Sequence, residues 1–240
     1  MKTQMRSIHL AVYAMVLSIL MAATTGVHAG DTAGGDTTRT YANTAGHVFM
    51  GLKYGNQEID MQTRFTRQVN GGIVEDSRFN NEYTANAGGL FLGYQLPWEQ
   101  FYLGGQVFFD LYDGQFELSA GSSQFINTIN HSMGVEMMPG IYLYKGLSIF
   151  GKLGLAYGDF DFIKSSPTST NYNSGRRLYG YTLGLGLAYD ISAQFTAKIG
   201  YEQTRYQDTE INATRSVLYD KTTVEPKISF FFMNLQYNFN

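Results

Sequence analysis

Six ionisable residues sit at alternate positions within apolar, glycine-rich runs: Lys53, Asp110, Glu136, Lys152, Lys198 and Glu202. A charged group removed from water must find an opposite charge or change its protonation state. Three cations and three anions in such settings predict a paired interior network, structural in character. Glu136 and Lys152 are expected to pair, because they face the same way at similar depth from a tight turn at Tyr144 to Gly146. A second constellation, His131-Ser132 with Glu136, contains the residue types of a nucleophile and its base, which need to lie within hydrogen-bond reach. Adjacent residues on a strand point to opposite faces, which separates His131 from Ser132. The other histidine outside the leader, His47, is expected at the opposite end of the strands. The sequence shows no metal cluster, phosphate loop or nucleophile motif. No catalytic residue, metal or cofactor is expected, and the chain reads as a non-enzyme.

The elements that position these residues are strands with one apolar face. From Ile228 to Asn240, Phe231, Met233, Leu235, Tyr237 and Phe239 share a face, and Phe230, Phe232, Asn234, Gln236 and Asn238 share the other. That pattern suits a wall between lipid and a polar interior. Seven further stretches alternate in the same way, over about 47–55, 87–96, 101–112, 131–143, 147–158, 179–189 and 194–203. On all eight the outward face carries no charge, while the six ionisable residues fall inward. Glycine provides a check independent of that assignment: Gly51, Gly93, Gly134, Gly186 and Gly200 fall inward with most other strand glycines, whereas Gly105 and Gly151 fall outward. Small inward residues suit a narrow, filled barrel. Pro139 falls outward on the fourth stretch, where its missing N–H predicts a bulge.

Three tight turns, at 97–100, 144–146 and 190–193, alternate with four polar segments expected to be loops, at 56–86, 113–130, 159–176 and 204–225. The predicted fold is all-β: an eight-stranded antiparallel up-and-down transmembrane β-barrel over residues 46–240, with all long loops at one end. Residues 1–29 have the charged start, the apolar core and the Val27-His28-Ala29 ending of a secretory signal peptide. Residues 30–45 read as a flexible periplasmic leader. Of 17 Lys+Arg and 20 Asp+Glu, the signal removes Lys2 and Arg6 only, so the remainder carries 15 against 20, a net charge of −5. That balance argues against nucleic acid as a partner. With no cysteine, disulfides and lipid attachment through cysteine are excluded. A secreted lipocalin also has eight strands, but its apolar ligand cavity would sit where this chain places Lys and Glu.

The eight-strand count, tyrosine-bounded stripes, signal and near-terminal Phe239 resemble the small outer-membrane barrels of the OmpA/OmpX type. The resemblance is to the barrel domain, without the peptidoglycan-binding domain that follows it in OmpA-like proteins. It implies residence in the outer membrane of a Gram-negative bacterium, among outer-membrane lipids and lipopolysaccharide. It implies handling by periplasmic chaperones and the barrel-assembly machinery, with Tyr237 and Phe239 of the last strand as the assembly signal. A structural or surface-interaction role through extracellular loops, adhesin-like or serving envelope integrity, is the function implied, with a host or surface ligand as partner. The alternatives are a small pore or gated channel and, third, a lipid A-modifying barrel enzyme, for which His131, Ser132 and Glu136 would be the candidates.

Overall fold

The computed structural model describes residues 46–69, 72–120, 123–144, 146–166, 169–215 and 218–239. The expected signal peptide and leader lie outside the described residues. Nine strands form one antiparallel sheet: β1 (His47–Val69), β2 (Gly72–Trp98), β3 (Phe101–Ala120), β4 (Ser123–Tyr144), β5 (Leu147–Ser166), β6 (Ser169–Asp190), β7 (Phe195–Tyr206), β8 (Thr209–Arg215) and β9 (Leu218–Phe239). Among the described residues β1 to β7 pair in sequence order, β7 lies between β6 and β9, and β9 returns to β1. β8 continues the line of β7 along β9, so the closed wall has eight strands.

The register fixes the size of the barrel. From Lys53, cross-strand partners run one way through Gly89, Asp110 and Ser132 to Gly158, and the other way through Asn234, Lys198 and Ala188 to Ser148. The two paths meet β5 ten residues apart, at Gly158 and Ser148. For eight strands that stagger tilts each strand by about 40° and sets the backbone about 8 Å from the axis.

The expected inward and outward faces hold on every strand. Leu90, Val107, Val135, Leu155, Leu185, Ile199 and Met233 are exposed on the outer wall, while Phe49, Phe91, Phe108, Phe150 and Phe232 are buried inside. On β3 the outer apolar stripe runs from Phe101 to Leu111, and on β9 from Phe231 to Phe239. At about 3.3 Å rise per residue and that tilt, the belt is roughly 25 Å tall, the height of the apolar band of outer-membrane barrels. Inside, each of these rings lies directly across from a glycine: Phe49 from Gly93, Phe91 from Gly51, Phe108 from Gly134, Phe150 from Gly186 and Phe232 from Gly200. A Cβ on Gly93 or Gly134 would collide with the ring opposite, which is why inward glycine and inward phenylalanine come in pairs.

Two expectations are corrected. The four segments expected as loops continue as strands, leaving only the tips at 70–71, 121–122, 167–168 and 216–217 outside the described residues. Alternation persists there with its polarity reversed: Ile59, Met61, Phe160, Phe162 and Val224 are buried inside, while Asn56, Glu58, Glu82 and Arg205 lie outside. Strands defined by an apolar outer face therefore stop short of the true ends. Pro139 causes no bulge: the β4–β5 ladder passes from Met137↔Leu153 to Gly140↔Phe150 with no shift of register. The proline forgoes its pairing and the strand runs straight on.

Bulges occur instead where the wall divides. On β3 the two residues between Leu111 and Gly114 oppose one on β4, between His131 and Ile129. Across the β7–β8 break, the three residues between Arg205 and Thr209 oppose two on β9, between Lys227 and Val224. Bulges bend a strand and end its pairing, and here the β2–β3 ladder stops at Asn86↔Asp113 and the β6–β7 ladder at Gly180↔Tyr206. Beyond the belt the barrel thus becomes two four-stranded sheets, β2-β1-β9-β8 and β3-β4-β5-β6. Apolar residues of both sheets belong to one buried cluster.

The belt assignment predicts position-dependent costs on the outer face. Leu185→Arg should destabilise the barrel by roughly 2–4 kcal/mol in lipid vesicles. Thr84→Arg, outward but above the belt, should stay within about 0.5 kcal/mol. Urea unfolding of both variants is the check, and equal effects would displace the belt.

Candidate functional site

The six predicted interior residues are all buried, at 5% exposure or less, on five strands. β1 brings Lys53, β3 Asp110, β4 Glu136, β5 Lys152 and β7 both Lys198 and Glu202. Five of them form one chain of ion pairs across the lumen. Lys53 Nζ lies 2.6 Å from Asp110 Oδ2 and 3.0 Å from Glu202 Oε1. Glu202 turns its other oxygen to Lys152, whose Nζ also lies 2.9 Å from Glu136 Oε2. The expected Glu136–Lys152 pair is therefore present, but as one link of a longer chain centred on Glu202. Gln106, which the sequence reading passed over, extends the chain: its Nε2 donates to Glu136 Oε2 at 2.6 Å. The signal was available, since Gln106 lies on the inward face of the same strand as Asp110.

Lys198 is not drawn into that chain. Its Nζ lies over the rings of Phe49 and Phe150, 5.2 and 5.4 Å from their centres. The other lysines use ring faces as well: Lys53 between Phe108 and Phe230, at 5.1 and 5.0 Å, and Lys152 over Phe232 at 4.7 Å. Desolvated ammonium groups gain about 2 kcal/mol or more from such contacts. The glycines opposite Phe49, Phe108, Phe150 and Phe232 let those rings lie where a lysine can use their faces, while Phe230 stands across from Gln57 and Glu202.

Hydroxyl and amide pairs lie above and below the ions. Toward the outside, Tyr112 and Ser132 share a hydrogen bond of 2.7 Å, and Thr182 and Thr204 one of 2.8 Å. Toward the periplasmic turns, Gln95 donates to Tyr142, Gln236 to Asn238, and Asn238 to Thr196, which donates to Asp190. Several buried atoms find no hydrogen-bond partner in the protein, among them Gln106 Oε1, Asp110 Oδ1, Glu136 Oε1, Asn234 Oδ1 and both amide atoms of Gln57.

The remaining candidates are placed apart. Ser132 points inward to Tyr112, whereas His131 lies on the outer face with its ring 5.6 Å from that of Phe109. Glu136 is held by Lys152 and Gln106. Nucleophile and base are thus on opposite sides of the wall. Tyr237 and Phe239 lie outward at the foot of β9, their rings 4.9 Å apart, with Phe195 of β7 5.2 Å from Tyr237. On the β1–β2 extension Arg64 donates through Nε and Nη2 to both oxygens of Asp76, at 2.9 and 2.7 Å. Those hydrogen bonds hold the Asp76 carboxyl below the ordinary carboxylate range.

The pairing pattern predicts unequal effects of single substitutions. Lys152→Met deprives both Glu136 and Glu202 of a partner and should cost roughly 3–5 kcal/mol. Glu136→Gln should cost less, because Lys152 keeps Glu202, and the double variant should recover part of the Lys152→Met loss. Urea melts of the folded barrel in detergent measure all three, and strictly additive losses would contradict the coupling.

The model of the OmpA-like transmembrane domain matches residues 41–240. No curated protein matches the chain. Among solved structures the chain is similar to Ail, the attachment invasion locus protein of Yersinia pestis, in complex with the heparin analogue sucrose octasulfate. Identity is 16%, over 77% of this chain and 98% of that one, with a TM-score of 0.35. It is similar also to OprG of Pseudomonas aeruginosa, 13% identical over 81% of this chain and 96% of that one, TM-score 0.46. The outer-membrane protease OmpT of Escherichia coli is 10% identical over 83% of this chain and 100% of that one, TM-score 0.48. A closed eight-stranded wall with a lipid-height apolar belt is the architecture that the matched family describes. The chain belongs to the OmpA-like transmembrane domain family, and its place is the outer membrane of a Gram-negative bacterium.

Proposed function

We propose that the protein is a non-enzymatic surface-interaction protein, adhesin-like or serving envelope integrity, that works through the parts of its wall standing outside the membrane. The observation that carries this reading is the contrast between the two halves. At belt height the lumen is crossed by ion pairs and aromatic rings. Beyond the belt, two sheets with an apolar inner side present polar outer faces. A rigid scaffold with polar connections is where binding residues collect. Its partners are outer-membrane lipids and lipopolysaccharide along the wall, and a host or surface ligand at the tips. The separation of His131 from Ser132 supports leaving catalysis out.

Trimming β1–β2 to residues below about 62 and above about 80, with a short turn between them, should leave the barrel folded and abolish the surface phenotype that the gene confers. Adhesion or serum-survival assays on cells, with heat-modifiable gel mobility as the folding check, measure both. Retention of the phenotype by a trimmed, folded barrel would refute the reading.

The same reading gives Tyr237 and Phe239 a role in recognition by the assembly machinery. Phe239→Asp should leave the protein in the periplasm with little in the outer membrane. Fractionation of cells is the check, and wild-type outer-membrane levels of the variant would remove that role.

A further inference from the structure

We propose that the lumen is a blind hydrated chamber, wetted from the periplasmic end only, and that the apolar layer beyond the membrane, not the ion-pair chain, is its seal. Two observations lead there independently. The first is an imbalance of donors and acceptors. Inward-facing and buried, Gln57 Oε1, Gln106 Oε1, Asp110 Oδ1, Glu136 Oε1, Asn234 Oδ1 and Gln236 Oε1 have no partner in the protein, against a single unpartnered donor, Gln57 Nε2. The spare N–H groups of the three lysines are committed to ion pairs and ring faces, so six open acceptors against one open amide donor point to solvent as the source of the missing donors.

Water fits these acceptors better than a cation does. Lys53, Lys152 and Lys198 already balance Asp110, Glu136 and Glu202, and a further positive charge would lie among three ammonium groups. A water molecule needs two to four polar partners, and the acceptors lie among the hydroxyls and amides that line the same lumen.

The second observation is where the polar lining ends. On β1 the inward face reads Lys53, Gln57, then Ile59 and Met61. At the height of Ile59 and Met61 the lumen is lined by Ile129, Phe160, Phe162, Leu178, Val224 and Ile228, all buried. Phe160 stacks on Phe162 and meets Tyr206 edge-on, at ring distances of 6.2 and 4.9 Å. Among the described residues no buried charged side chain lies in this layer. An apolar layer of this kind stays dry. At the other end the lining is Gln95, Ser148, Thr196, Gln236 and Asn238, which water can follow inward.

The assignment makes Gln57 the last wetted group. Its carboxamide stands one inward position below Ile59, cross-strand from Phe230, where the polar lining stops. It also separates hydration from electrostatics: breaking the ion pairs alters stability without opening the outer end.

Silver ion tests the chamber, being small, aqueous and reactive with thiols, and the chain contains no cysteine of its own. The protein carrying Asn234→Cys, inserted in one orientation into liposomes, should lose its free thiol to silver added at the periplasmic side. Silver added at the outer side should leave the thiol intact. Adding Phe160→Ser and Phe162→Ser should make the thiol reactive from the outer side, whereas adding Glu136→Gln should not. Should Asn234→Cys fail to fold, Thr196→Cys, on the same lining, replaces it. Reaction from the outer side with the layer intact, or no reaction from either side, overturns the chamber. Outer access opened by Glu136→Gln moves the seal to the ion pairs, and slowing of the reaction by sodium or potassium makes the occupant a cation.

Discussion

A wall of eight strands staggered by ten residues has one radius, and everything inside must fit within it. About 8 Å from axis to backbone leaves room for side chains and single waters between them, not for an open channel. Phe49, Phe91, Phe108, Phe150 and Phe232 each have a glycine as a cross-strand partner, and even Phe91 and Phe108, which face each other across β2 and β3, fit because Gly51 and Gly134 stand on their other sides. Glycine in a strand interior costs stability of its own. Here it leaves the space that the facing ring occupies. The lysines then occupy the ring faces, so the aromatic–glycine pairs also determine where the ammonium groups stand.

Three positive and three negative side chains inside a membrane would be a heavy cost if each were solvated separately. Glu202 reduces it by holding Lys53 with one oxygen and Lys152 with the other, so that one acid serves two bases. Asp110 and Glu136 complete the two ends, each with one oxygen bound and one free. The chain is therefore directional in hydrogen bonding: its middle is saturated and its ends still accept. Lys198 stands outside it, against Phe49 and Phe150.

How far the sequence could be read depended on what pairs with what. An apolar outer face backed by charge and glycine is a local, period-two signal, and it located eight walls, their facing and the buried state of all six ionisable residues. Which acid meets which base depends on the stagger, which no single strand contains. Glu136 and Lys152 share a turn, so their pair was legible. Glu202 is 50 residues from Lys152 and 149 from Lys53, and its bridging position emerges only on closure. The extensions escaped for another reason. Ile59, Met61, Phe160 and Phe162 alternate as regularly as the belt residues, but with the apolar side inward. A reading set to find lipid-facing stripes takes that reversal for a loop.

The reversal is itself a physical consequence of leaving the membrane. Within the belt, lipid rewards apolar side chains outside, and the interior takes the polar remainder. Above it, water surrounds the wall, and the same strands can be held together only by burying apolar groups against one another, as a soluble sheet pair does. The reversal falls within a few residues of the bulges on β3 and β7–β8, where the ladders to β2 and β6 end. A closed barrel needs hydrogen bonds all round only where no water can satisfy the backbone. Past that height the edges can open, and a wall that must be continuous in lipid becomes two sheets joined by their apolar sides.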